Sequence, residues 1–139
     1  MGGIGMGGTG IPTVTFHFPL PPKALSPNAR VHYMARARAT RYYRTRCYVI
    51  ARNHLLGSGW VPGRVEIDME YRCPKGSDGY VAMDLANAMS ATKALIDGMV
   101  DAGVMPNDSR KYLTWGRMEL IPHKNPMGEG VTVIVRAVQ

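Results

Sequence analysis

The stretch RVEIDMEYR, Arg64 to Arg72, leaves this chain little freedom in how it folds. Apolar Val65, Ile67, Met69 and Tyr71 alternate with charged Glu66, Asp68 and Glu70. That is the period of an extended strand with one face buried and the other wet. Such a strand needs neighbours to take its hydrogen bonds and a layer to cover its apolar side. A chain of 139 residues, 45% hydrophobic, can supply both within one domain.

TVTFHF, Thr13 to Phe18, sets Val14 and Phe16 against Thr15 and His17 and reads as a second half-buried strand. The Pro-rich PLPPKALSPNAR after it suits neither ladder nor helix and is a loop. From about Met34 to Leu56 the chain reads as a helix, with Tyr42, Cys47, Val49, Ile50, Leu55 and Leu56 as its apolar content and Gly57 and Gly59 as its stop. A second helix lies between Asp84 and Asp108. YLTWGRMELI and VTVIVRAV are closing strands, expected to be antiparallel, and the turn-rich PHKNPMGEG between them reads as a hairpin loop. The expected class is α+β: a small mixed, largely antiparallel sheet with two helices in the order β-α-β-α-β-β. Residues 1–12 are expected to be a flexible Gly-rich tail and residues 13–139 a single domain. The formal G-x-G-x-x-G at Gly3, Gly5 and Gly8 is not a dinucleotide site, because it follows no strand and runs into Pro12.

The net charge is +7. That favours a polyanionic partner, most simply nucleic acid, although charge alone does not separate this from a merely soluble basic protein. Cys47 and Cys73 stand far apart without a CxxC, which fits a reducing cytoplasm better than a disulfide scaffold or zinc knuckle. No apolar run approaches the roughly 20 residues that cross a bilayer, so no membrane partner is expected. The first residues lack the pattern of a signal peptide, so export is not expected. The four histidines show no metal-binding spacing, and no G-x-S-x-G occurs. No organic cofactor is implied.

DLANAMSATKALIDGMVDAGVMPNDS, Asp84 to Ser109, holds the candidate chemistry. Leu85, Ala88, Met89, Thr92, Leu95, Ile96, Met99 and Gly103 follow a helical rhythm that faces a core. Lys93, Asp97 and Asp101 succeed one another four residues apart on its flank, so Lys93 and Asp97 can pair. Asp84 stands where an N-cap belongs and Asp108 lies in a turn, PNDS. Geometry by itself thus accounts for Asp84 as a cap, Asp97 as a surface pair and Asp108 as a turn residue.

The same stretch resembles the signature of RusA-type Holliday junction resolvases: D-x-D-N, a helix with a lysine, then DGLVDAGV, an acidic pair and a small hydroxyl residue. Asp84, Asn87, Lys93, IDGMVDAGVMPNDS and its Asp108 line up with it. Upstream, LPLPPKALSPNARVHYMARAR is similar to the family's Pro-rich first loop, N-x-R-x-H segment and basic helix; the likeness runs from about Thr13 to the last strand. The resemblance implies a dimeric, Mg²⁺-dependent endonuclease, with Mn²⁺ as a substitute ion, that nicks opposing strands of four-way DNA junctions in a bacterial or phage-infected cytoplasm.

By that resemblance Asp84 and Asp108 are metal ligands and Lys93 stabilises the scissile phosphate or positions the water. These residue types suit the chemistry, since Mg²⁺ takes carboxylate oxygens and an ammonium suits a phosphate. Asn87 would orient a ligand or touch the DNA backbone, or else cap the helix. Arg30, Arg36, Arg38, Arg41, Arg44 and Lys75 are the expected phosphate contacts. Three positions depart from the pattern. Ala86 replaces the second aspartate of D-x-D-N, Asn107 replaces the first acid of the late pair, and PKGSDGYVAM replaces a basic run. Asp68 or Glu70 could stand in for the missing ligand, or could belong to a solvated strand face balanced by Arg64 and Arg72. Ala86 leaves two alternatives open: a non-catalytic junction-binding module on the same fold and, with less in its favour, a small basic RNA-binding protein, for which no RNP or KH signature is present.

Overall fold

The computed structural model describes residues 5–6, 12–25, 30–74, 88–89, 92–123 and 128–138. The strands are β1 (Gly5–Met6), β2 (Pro12–Phe18), β3 (Val65–Pro74), β4 (Leu113–His123) and β5 (Gly130–Ala137). The helices are α1 (Tyr33–Leu55) and α2 (Lys93–Asp101), with a short 3-10 turn at Lys23–Leu25. The strands form one mixed sheet in the order β1-β2-β5-β3-β4. Only β3 and β4 run parallel; the other pairings are antiparallel. The α+β class and the β-α-β-α-β-β order therefore hold, with Gly5–Met6 adding a two-residue edge beside the start of β2.

The closing hairpin does not form. β5 lies between β2 and β3, and β4 lies on the far side of β3. The reason is in the two strands. β5 is rich in β-branched residues and buries Val131, Thr132, Val133 and Val135, so it belongs in the middle of the sheet. β4 carries Thr114, Trp115, Gly116 and Arg117 exposed and suits an edge. β4 in turn runs parallel to β3, because α2 carries the chain back over the sheet before β4 begins.

Alternation along β3 is as expected. Val65, Ile67, Met69, Tyr71 and Cys73 are buried in one core with Tyr43, Cys47, Leu95 and Met99 of the helices. The opposite face holds Glu66, Asp68, Glu70 and Arg72. Of the arginines expected to balance its acids, Arg72 lies 3.9 Å from Glu70, as does Arg117, while Arg136 reaches Glu66 at 2.6 Å and Asp68 at 2.9 Å. Asp68 also accepts the Arg117 N–H at 2.7 Å, where the β3–β4 register slips by one residue. This carboxylate closes the bulge, and Gly116 leaves it room, since a Cβ there would sit 2.1 Å from Asp68 Oδ1.

α1 presents Tyr43, Cys47, Ala51 and Leu55 to the core at four-residue steps. Tyr42, Val49 and Leu56, part of the helix's apolar content, are exposed. His32 caps the helix, its Nδ1 accepting the Met34 N–H at 3.2 Å, and Gly57 ends it at φ 70°. Cys47 and Cys73 are buried free thiols, and burial pushes the Cys47 thiol up to about 12. Among the described residues no helix is long and apolar enough to cross a membrane.

α1 and α2 cross at Gly98. A Cβ there would meet the Arg44 carbonyl at 2.6 Å, Cys47 Cβ at 2.9 Å and the Tyr48 nitrogen at 3.0 Å. Gly98→Ala is expected to destabilise the fold by about 1–3 kcal/mol in denaturant unfolding, because forced separation of the helices outweighs alanine's better helix propensity. Unchanged stability would contradict this crossing.

Candidate functional site

The site is built at the start of α2. The sequence predicts one helix running on from Asp84, but Thr92 interrupts it. Thr92 is the N-cap of α2, and its hydroxyl donates to the Met89 carbonyl at 2.6 Å. Lys93 is therefore the first helical residue rather than a mid-helix one. Met89, assigned to the core stripe, is 46% exposed, whereas Ala88, Leu95, Ile96 and Met99 are buried as the rhythm requires. Threonine has a poorer helix propensity than its neighbours and bonds back to a preceding carbonyl, which is the signal that could have located the break.

The other end of α2 turns the chain back on itself. Gly103 at φ 87° donates its N–H to the Val100 carbonyl, and Val104 donates to the Met99 carbonyl, both at 3.0 Å. This is a Schellman closure, sealed by buried Val104 and Met99. The Trp60 indole N–H holds the Val104 carbonyl at 2.9 Å. The segment that follows then returns alongside the helix. Nine helical residues span about 13 Å, a length that four extended residues cover. Asp108 thus arrives beside Lys93. Asn107 contributes to the turn, its side chain accepting the Ser109 N–H at 2.9 Å.

The Lys93 ammonium bonds Asp108 Oδ2 at 2.5 Å and Asp97 Oδ1 at 2.9 Å. Arg44, reaching over from α1, forks onto Asp101 at 2.7 and 2.9 Å and lies 3.9 Å from Asp97. Five charged side chains form one chain across two helices: Asp108, Lys93, Asp97, Arg44, Asp101. Arg44, one of the expected phosphate contacts, is engaged in this network. The expected Lys93–Asp97 pair forms, and Asp101 finds its partner on the other helix.

Of the remaining expected site residues, Arg30, Arg38 and Arg41 are exposed and Arg36 is half-buried. Asp84, Ala86, Asn87 and Lys75 lie outside the described residues. Among those described, no three His, Cys, Asp or Glu side chains gather to hold a metal ion. Asp68 and Glu70, the expected stand-in ligands, lie on the sheet face away from the helices, across the sheet from Lys93 and Asp108, and are paired with arginines. Comparison with protein-family models and with curated protein sequences gave no match.

The contact between Lys93 and Asp108 shifts the titration of both groups. The Lys93 ammonium holds the Asp108 carboxyl below its ordinary value, and Asp108, then Asp97, raise Lys93. Asp108 therefore adds stability above the unfolded aspartate value of about 3.9, and this is lost as pH falls through its lower folded value. Lys93 adds stability below the unfolded lysine value of about 10.4, and this is lost as pH rises through its raised folded value. Lys93→Met is expected to move the Asp108 carboxyl titration, followed by NMR, upward toward about 3.9. A titration that does not move would remove Lys93 as the cause.

Proposed function

We propose that this chain is a RusA-like, Mg²⁺-dependent endonuclease selective for four-way DNA junctions. It would act as a homodimer, with activity weakened or abolished by Ala86. The observation that carries the reading is the contact between Lys93 and Asp108, 15 residues apart in sequence and hydrogen-bonded side chain to side chain. Helical spacing accounts for the pairing of Lys93 with Asp97 but not for the approach of Asp108 from the turn; a lysine set beside a ligand carboxylate would account for it. The two-fold symmetry of a junction suits a symmetric dimer that brings one site to each of two opposing strands.

The residues suit the ion. Asp108 offers oxygen donors on a partly exposed carboxylate, and Asp84, four residues before Ala88, would supply the second carboxylate. Bound Mg²⁺ supplies an activated water and charge stabilisation at the leaving oxygen. Lys93, oriented by Asp97, presents an ammonium to the scissile phosphate. Asp97 is itself backed by Arg44, so the lysine is anchored on its far side whether or not it holds Asp108.

Ala86 favours a second reading, a junction-binding protein that does not cut, because alanine offers no ligand oxygen. Ala86→Asp is expected to raise Mg²⁺-dependent junction cleavage in a gel assay with labelled junctions. In that background Asp84→Asn should abolish cleavage, and Lys93→Met should lower it by about 10²–10³-fold, the typical loss for one electrostatic stabiliser. Junctions left whole by Ala86→Asp protein in both Mg²⁺ and Mn²⁺ would rule out the nuclease and leave the binding module.

A further inference from the structure

The arginines of α1 fall into separate classes. Arg44 is committed to Asp101 and Asp97, and Arg46 donates to the Tyr42 hydroxyl at 3.1 Å beside a shallow, largely apolar groove of about 440 Å³. Arg38, Arg41 and Arg52 are exposed, and among the described residues none of them has an ion-pair partner. They lie with Thr45 and Tyr48 at steps of 3, 4, 3 and 4 residues, which places all five on one helix face, away from the buried line of Tyr43, Cys47 and Ala51. Tyr48 borders the crossing at Gly98, so this face runs beside α2.

We infer that Arg38, Arg41 and Arg52, with Thr45 and Tyr48, form a track for the phosphate backbone of one duplex DNA arm. The inference rests on the proposed junction-binding function and says which surface performs it. Three features favour a polyanion over other occupants. The guanidinium groups are uncompensated in a chain of net charge +7. The stripe is straight and about 21 Å long, a length over which duplex DNA presents on the order of a dozen backbone charges. The hydroxyls of Thr45 and Tyr48 fall between the cations and can donate to phosphate oxygens. Contacts to phosphates carry no sequence information, so the track grips an arm without regard to sequence. Arg44, its charge already matched, takes no part.

The test is binding of the full chain to a fluorescent four-way junction, and to a linear duplex with the same arm sequence, without divalent ions and over a range of salt. Combined Arg38→Gln, Arg41→Gln and Arg52→Gln substitution should weaken binding to both DNAs and flatten the slope of log K against log salt by about 2–3, close to 0.9 per lost phosphate contact. Arg44→Gln should leave the slope unchanged. If the triple variant fails to fold by circular dichroism, Arg41→Gln alone should lower the slope by about 1. A slope the arginine variants do not change, a slope that falls as far in Arg44→Gln, or stronger binding to an A-form RNA duplex would each overturn the track. Because no cutting is measured, a binding slope that behaves as expected beside an inactive Ala86→Asp enzyme would sink the nuclease alone, and cleavage that survives with an unchanged slope would sink the track alone.

Discussion

At Gly98 two helices approach until only a hydrogen atom fits between them, and the ion pairs that join α1 to α2 follow from that contact. It lets Arg44 of α1 reach the acids of α2, holding Asp101 in a two-bonded fork and standing beside Asp97. Asp97 then holds Lys93, one turn earlier on its own helix. The ion pairs are exposed, and a pair such as Lys93–Asp97 is worth only about 0.3–0.5 kcal/mol. Their effect is directional rather than energetic: they fix where an ammonium sits, while the buried side chains beneath supply the stability.

The sheet makes the return path possible. β3 is paired on both sides, antiparallel to β5 and parallel to β4. The parallel pairing obliges the chain to leave the sheet and come back, and α2 is that excursion. The Schellman closure at Gly103 and Val104 reverses the chain at the far end, so the stretch holding Asp108 passes the start of the helix before β4 begins. The acidic face of β3, which invited a catalytic reading, does structural work instead. Asp68 stitches the bulge at Arg117 and pairs with Arg136, which pulls its carboxyl below the ordinary range.

Much of this was legible in the sequence, for reasons that can be named. Strict alternation marked β3, and a polar–apolar alternation marked β2. Gly57 marked the end of α1, and the four-residue spacing of Lys93 and Asp97 marked their pair. What misled was contact at a distance. Strand order depends on which strand gains most by central burial, and the turn residues between β4 and β5 suggested a hairpin where β3 lies between the two strands. The apolar residues of α1 did not by themselves define its buried face, because Tyr42 and Tyr43 are chemically alike and only the packing distinguishes them. Arg44 looked like its basic neighbours until its acids arrived from another helix. For the candidate site, the Lys93–Asp108 contact has no local signal at all; the return of the chain past the start of α2 produces it.

The central claim is that the acids flanking this segment converge on one divalent ion beside Lys93. Anomalous diffraction from crystals of the Ala86→Asp protein soaked in Mn²⁺ tests it most directly. The account predicts a single strong peak in contact with carboxylate oxygens of both Asp84 and Asp108. A map in which Asp84 points away from Asp108, with no peak between them, would contradict it.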